Sequence, residues 1–358
     1  MPALQISPEP DVIIGIDTHK TVHAAVAINS LGARLGETLI PVSSKGYAEL
    51  EAWASAFGKV RAFGIEGTGS YGAGLTRSLL ARGHHIIEVN RPNRQLRHQH
   101  GKSDTLDAEG AARAVLSGQA TAVPKVGTGA VEMIRHLKIA RDTAVKARTQ
   151  AMVTLRTLII NAPAALRENL DGISGKIRLI RHIAALRPGP ISSPTASAKS
   201  AMQALARRWL ALNEEVKAHD EHLTKLTEAC APTLVQAHGI ASGTAAEMLI
   251  LVGDNPERIR SDAAFAKLCG VCPIPASSGK TNRHRLNRGG NRQANAAIYR
   301  VVIMRMRSHG PTLDYVRRRM AEGKTKKEVI RCLKRFVARE IFGHLCRGGA
   351  ATVRLSAP

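Results

Sequence analysis

The chain has 358 residues, 44% apolar and 22% charged, enough for two or three domains with ordinary cores. Its 52 Lys+Arg against 28 Asp+Glu leave a formal net charge of +24. A small-molecule enzyme has no need of that excess, whereas a polyanion partner explains it through counterion release. No apolar run reaches the roughly 18–20 residues of a membrane helix, and the first ten residues lack a secretory pattern, so the expected location is the cytoplasm, at the nucleoid.

Residues 12–16 form a β-branched run that predicts a strand, and 22–28 predict a second. Asn29-Ser30-Leu31-Gly32 reads as a hairpin turn into a weakly alternating third strand over 34–42. The spacing of Leu50, Trp53 and Phe57 predicts a helix over 45–57. A strand over 60–65, a helix over 74–81 and a strand over 85–89 follow. Three leading strands, then helix, strand, helix, strand, predict an α/β domain in which an antiparallel meander joins a parallel layer.

The pattern breaks at Pro124, Gly127 and Gly129, giving an expected first domain of 1–125. A helical stretch without Gly or Pro runs from 131 to about 160, and a second helix-rich stretch covers 201–230. A Pro/Gly loop over 187–194 lies between them. Paired long helices, a coiled-coil arm suited to dimerisation, are the simplest reading of 126–230.

The expected third domain, 231–358, is mainly α-helical and basic. In it, His238-Gly239-Ile240 leads into an apolar helix opening at 242–246 and ending at Gly253-Asp254. A helix, a glycine-bearing turn and a helix can present backbone N–H groups to phosphate, or can be an ordinary helix start. From residue 280 onward there are 20 Lys+Arg and 4 Asp+Glu, two thirds of the whole excess. That points to nucleic-acid contact, with Lys280, Arg283, Arg285, Arg288 and Arg292 as the candidates. Aromatic residues are only 3%, which favours phosphate contacts over base stacking. Five sparse cysteines argue against a disulfide framework. Cys269-x-x-Cys272 lacks a second pair, and His284 has no partner at metal-finger spacing, so buried structural thiols are expected.

In so basic a chain, acids at strand ends stand out. Asp17 closes the first strand and Glu66 the fourth, and parallel layers place chemistry at strand C-terminal ends. Asp104 and Asp107, three apart, share one helix face. Four converging carboxylates repel and raise their pKa values. Bound Mg²⁺ or Mn²⁺ relieves this, and two such ions about 3.5–4 Å apart can align a phosphodiester for displacement. The plain alternatives are that Asp104 caps its helix, with Asp107 in the first turn, and that Glu66 is a surface acid. Glu109, five after Asp104, points elsewhere, and His19 is expected beside the site as a phosphate contact.

GIDTHK (15–20), IEGTGSYG (65–72) and KSDTLDAEGAARA (102–114) resemble the Asp-Glu-Asp-Asp motif of transposases of the insertion-sequence family numbered one hundred and ten. HGIASGTAAEMLILVGD (238–254) and the stretch from Phe265 to Val302 resemble that family's second transposase domain. GVCPIP stands where GLxP is more usual, and the resemblance is weakest over 160–230. It implies a ribonuclease-H-like, RuvC-like N-terminal domain, a long-helix middle and a serine-bearing C-terminal domain. It implies metal ligation by Asp17, Glu66, Asp104 and Asp107, and a nucleophile at Ser278, with the adjacent Ser277 as the alternative. It further implies strand exchange between donor and target DNA through a serine–phosphodiester link, by dimers that pair into tetramers. A structured bridge-type guide RNA would read sequence while the protein reads backbone. A metal-dependent nuclease or junction resolvase using water, and a non-catalytic nucleic-acid-binding protein, are the competing readings.

Overall fold

The computed structural model describes residues 11–90, 103–279 and 284–347. The chain divides into two compact units. Unit 1 is the chain up to Gly129 together with Val252–Arg258; unit 2 is Ala130–Leu251 together with the chain from Ile259 on.

Unit 1 is built on β1 (Asp11–Thr18), β2 (Val22–Asn29), β3 (Arg34–Pro41), β4 (Lys59–Glu66) and β5 (Ile86–Val89), in the order β3-β2-β1-β4-β5. β1 to β3 are antiparallel neighbours, while β1, β4 and β5 run parallel. At the β2–β3 turn the Asn29 side chain accepts from the N–H groups of Leu31 and Ala33, and Gly32 takes φ +82. β1 and β2 are buried on both faces and read as near-continuous apolar runs, whereas β3, at the edge, alternates.

Strand alternation sorts the side chains. Ile14, Ile16, Phe63 and Ile65 join the core shared with Leu50 of α1 (Ser44–Ser55) and with Leu75 and Leu79 of α2 (Ala73–Ala81). Ile13, Val26 and Ile28 pack on the other face, against Ala108 and Ala112 of α3 (Asp104–Leu116). The element order is that expected from the sequence, and this mixed sheet is consistent with a ribonuclease-H-like fold.

Unit 1 also includes a distant strap. The Asn255 amide donates to the Pro124 carbonyl and accepts from Val126 N–H, both at 3.0 Å, and Asp254 accepts from Gly129 N–H at 3.1 Å. The sequence reading ends the apolar helix at residues 253–254 and gives the following segment no partner.

In unit 2, α4 (Ala130–Ile160) and α7 (Pro194–Cys230) lie antiparallel. Arg141 Nε is 2.8 Å from Asp220 Oδ1, and Arg148 Nη1 is 2.8 Å from Asn213 Oδ1, so residue numbers rise on one helix as they fall on the other. α5 (Ala164–Asp171) and α6 (Lys176–Ala184) close the end of the pair around Trp209, Leu155 and Met202. Neither short helix is part of the sequence expectation for 126–230, which takes that stretch as paired long helices. α7 begins at Pro194, seven residues before the predicted start. Pro194 is its first residue, and Ser193 caps it by accepting from Ala196 N–H.

The rest of unit 2 is mainly helical: α8 (Pro232–Val235), α9 (Ser242–Val252), α10 (Asp262–Leu268), α11 (Arg292–Ser308), α12 (Gly310–Ala321) and α13 (Lys326–Cys346). A short ladder of β6 (Ile274–Pro275) and β7 (His284–Arg285) precedes α11.

Candidate active site

Two glycines set the position of α3. A Cβ on Gly15 of β1 would lie 1.9 Å from the Ala108 carbonyl oxygen, and one on Gly64 of β4 would lie 2.7 Å from Val115 Cγ2. The helix therefore rests directly on the backbone of the two central strands, helped by the small side chains of Ala108, Ala111 and Ala112. By alternation, Gly15 and Asp17 face α3, as do Gly64 and Glu66. The parallel register pairs Ile16 with Ile65, so Asp17 and Glu66 come next on neighbouring strands. Beyond that register the Thr18 hydroxyl donates to the Glu66 carbonyl at 2.8 Å. Asp104 and Asp107 stand in the first turn of the helix that crosses this end.

All four sequence-predicted acids thus lie at one corner of unit 1, and Asp17, His19 and Asp104 have donor atoms all within 4.8 Å of one another. His19 Nε2 sits 3.2 Å from Asp17 Oδ2 and 3.3 Å from Asp104 Oδ1, so the ring lies between two carboxylates. Asp17 and Asp107 are buried and Asp104 is exposed. Burial is the main force pushing the Asp17 carboxyl above the usual range; His19 opposes it, while Asp107 and Asp104 add to it by like charge.

The cap of α3 is Ser103, whose hydroxyl accepts from Leu106 N–H at 3.2 Å, which leaves the Asp104 carboxylate uncommitted to the cap. Glu109 turns away, as its spacing predicts, to Arg113 at 2.7 Å and Arg34 at 3.6 Å.

His23 is a supporting residue absent from the sequence reading. It is fully buried on β2, opposite Thr18 in the ladder, and its Nδ1 accepts from His19 N–H at 3.3 Å. Burial, then the neighbouring His19, lower its pKa, which keeps the ring neutral and that acceptor available. The signal was the second histidine of HKTVH, placed across the β1–β2 turn.

In unit 2, Ser277, Ser278 and Gly279 are exposed and follow β6, with Gly279 at φ +53. Arg285, Arg288 and Arg292 are exposed on β7, the next loop and the start of α11. Lys280 and Arg283 lie outside the described residues. The loop carrying Arg288 is seated on the turn after α10: a Cβ on Gly290 would meet Gly270 N at 2.5 Å, and Asn291 N–H donates to the Leu268 carbonyl. Cys269 is buried as expected, and burial pushes its thiol up to about 12, whereas Cys272 is only half-buried and its Sγ accepts from the Asn287 amide at 3.2 Å. No helix among the described residues is long and apolar enough to cross a membrane.

Residues 14–161 match the family model of IS110-type DEDD transposases, and residues 231–317 match that described as the transposase IS116/IS110/IS902 family. The stretch between the two matches is where the sequence resemblance is weakest. The chain is 30% identical over 147 residues to an uncharacterized 43.6 kDa protein of insertion element IS110 from Streptomyces coelicolor. That match spans 40% of this chain and 36% of the relative. The DEDD family and the Asp17–His19–Asp104 cluster together suggest use of a divalent metal. The two matches together cover about two thirds of the chain, and with the relative they support an IS110-family transposase.

Proposed function

We propose that the chain is the DNA transposase of an insertion sequence, cutting and rejoining strands through a covalent bond between Ser278 and a DNA phosphate. The observation that carries this is the corner of unit 1, where acids from two strand ends and one helix start gather in a chain of net charge +24. The donor set fits a hard divalent cation, because it is rich in carboxylate oxygen and its central member, Asp17, is both buried and crowded by like charge. Asp17, Glu66, Asp104 and Asp107 would hold Mg²⁺ or Mn²⁺. Bound there, the cation would offset the charge that builds on the phosphoryl oxygens during displacement.

The chain's own groups do the rest. The Ser278 Oγ–P bond forms as the P–O bond to the departing DNA strand breaks; the serine gives up its proton and the leaving oxygen gains one. A free hydroxyl of the other DNA then attacks the same phosphorus, which restores the serine and completes the exchange. The residue-17 corner would belong to a RuvC-like domain of 1–125, the long helices of 126–230 would pair subunits, and 231–358 would present the serine. Lys280, Arg283, Arg285, Arg288 and Arg292 would grip the backbone, while a bridge-type RNA pairs with donor and target. Dimers pairing into tetramers would bring serine and acids of different subunits to one phosphate.

The test is a denaturing gel of protein incubated with element-end DNA, the element's non-coding RNA and Mg²⁺. A shifted, protease-sensitive band that Ser278→Ala removes supports the serine link; wild-type recombination of a plasmid by that variant overturns it. One observation favours a second reading: the acid corner is assembled within unit 1 alone. If water is the nucleophile, Asp104→Ala stops cleavage, Ser278→Ala does not, and no adduct forms.

A further inference from the structure

Within unit 2, the loop over 286–291, the first turns of α11 and the middle of α13 surround an open cleft of about 720 Å³. That lies within the range of about 300–1,000 Å³ usual for small-ligand sites. Its walls carry Arg288, Arg292 and Lys334 and no carboxylate. Other cations of unit 2 behave differently. Arg305 pairs with Glu340, Arg335 and Arg339 share Asp262, and Arg319 meets Glu322. Among the described residues, no acid pairs with the three cations of the cleft.

Lys334 is held in place rather than free to swing. It donates to Asn295 Oδ1, and the Asn295 amide nitrogen donates in turn to the Gly270 carbonyl at 2.8 Å. Its ammonium is half-buried, a condition that favours an anionic or dipolar partner. Arg292, Asn295, Ala296 and Tyr299 fall three, four and seven apart, so they share one face of α11. The start of that helix adds the positive end of its dipole, with the Ala294 N–H already taken by the Asn291 cap. Tyr299 is 46% exposed, and its ring centroid lies 6.0 Å from the Lys334 ammonium. A flat ring beside a cationic hollow is the arrangement that takes a base and its phosphate together.

We propose that this cleft binds one unpaired nucleotide of a nucleic-acid strand, with the phosphate on Arg288, Arg292 and the first turn of α11, the base stacked on Tyr299, and Lys334 donating to the base edge. The proposal rests on the nucleic-acid reading above and deepens it: composition argues for backbone contacts alone, whereas this cleft separates an unpaired strand from a duplex.

The experiment uses the full chain, with fluorescence anisotropy on labelled single-stranded DNA, single-stranded RNA and duplex DNA of equal length at one fixed salt concentration. Tyr299→Ala should weaken single-strand binding about tenfold, the affinity of one stacked base, and leave duplex binding within about twofold. Tyr299→Phe, which keeps the ring, should bind as wild type does, and Lys334→Met should fall between the two. A loss on the DNA strand, the RNA strand or both supports the cleft and identifies the sugar it accepts. Equal effects on single strand and duplex, or no effect of Tyr299→Ala, overturn it while leaving the transposase reading intact. A wild-type chain with no affinity for any of the three probes overturns both.

Discussion

In unit 2, Glu340 accepts two bonds from Arg305, at 2.6 and 2.8 Å, and that guanidinium holds its carboxyl below the usual range despite burial. In unit 1, Asp17 is more deeply buried, but its neighbours are two more acids and one histidine set between carboxylates, and its carboxyl is held above that range. Ionising Glu340 therefore favours the folded chain, whereas ionising Asp17 disfavours it. The pair in unit 2 is closed within the protein and serves the fold. At Asp17 in unit 1, burial and the like charge of Asp107 and Asp104 outweigh the opposing effect of His19, in a chain with cations to spare. Together with the DEDD family match, that suggests a place for a divalent cation.

The sharpest way to break the contrast is Asp17→Asn. The raised carboxyl means a contribution to stability that is present below its unfolded pKa and lost as pH rises through the folded value, so at neutral pH ionised Asp17 works against folding. The variant should lose DNA cleavage altogether yet melt higher than wild type in chelator, by a few degrees for about 1 kcal/mol. Scanning calorimetry with and without Mn²⁺ checks this: the ion should raise the melting temperature of wild type and leave the variant unmoved. A variant that melts lower in chelator would mean that Asp17 is a structural acid after all.

Gly15→Ala comes next. The added methyl cannot coexist with an oxygen 1.9 Å away, so α3 must lift from β1. The expected loss is about 1–3 kcal/mol from overpacking, and the response to Mn²⁺ should shrink although every ligand is present. If the variant folds and keeps that response in full, the close seating of α3 is not what assembles the corner.

How much of this was legible follows from the range of each signal. The element order of unit 1 was, because alternation and helical spacing are local, and the faces of Asp17 and Glu66 follow from counting in twos along GIDT and GIEG. The acids' shared corner needed the parallel pairing of β1 with β4, which no local pattern encodes. The strap at Asn255 joins residues more than 120 positions away, and its signal is one asparagine that looks like any loop residue. His19 is expected beside the site, and it lies there between two carboxylates, because the β1–β2 turn folds it back over its own strand end. Tyr299 was passed over because composition counts aromatics and does not say which one is exposed.

Glu340→Gln tests the other side of the contrast at smaller scale. Arg305 would keep its bond to the His238 carbonyl at 2.8 Å but lose its counter-charge in a site where it is 7% exposed. A fully buried pair costs about 3–5 kcal/mol to break; with 36% of the Glu340 side chain in water, about 1–3 kcal/mol is expected. The sign with pH is fixed by the depressed carboxyl. Its stabilisation is present above the unfolded glutamate value of about 4.3 and is lost as pH falls through the lower folded value. Melting curves of wild type and variant should therefore converge in acid, and a gap that persists at the lowest pH would assign the loss to packing instead.

The finest test separates two neighbours in α3. Ser103→Ala removes the cap bond to Leu106 N–H, at about 1 kcal/mol, and should leave cleavage close to wild type where the helix stays formed. Asp104→Asn keeps the cap. It gives up a favourable dipole contact of about 0.3–1 kcal/mol and also relieves repulsion against Asp17. Its net effect on stability should be near zero while cleavage is lost. Stability and activity should thus dissociate across one peptide bond, Ser103 answering for the helix and Asp104 for the chemistry. If instead Asp104→Asn proved the more destabilising of the two, Asp104 would be a capping residue, and the case for a metal centre would lose one of the three groups its geometry stands on.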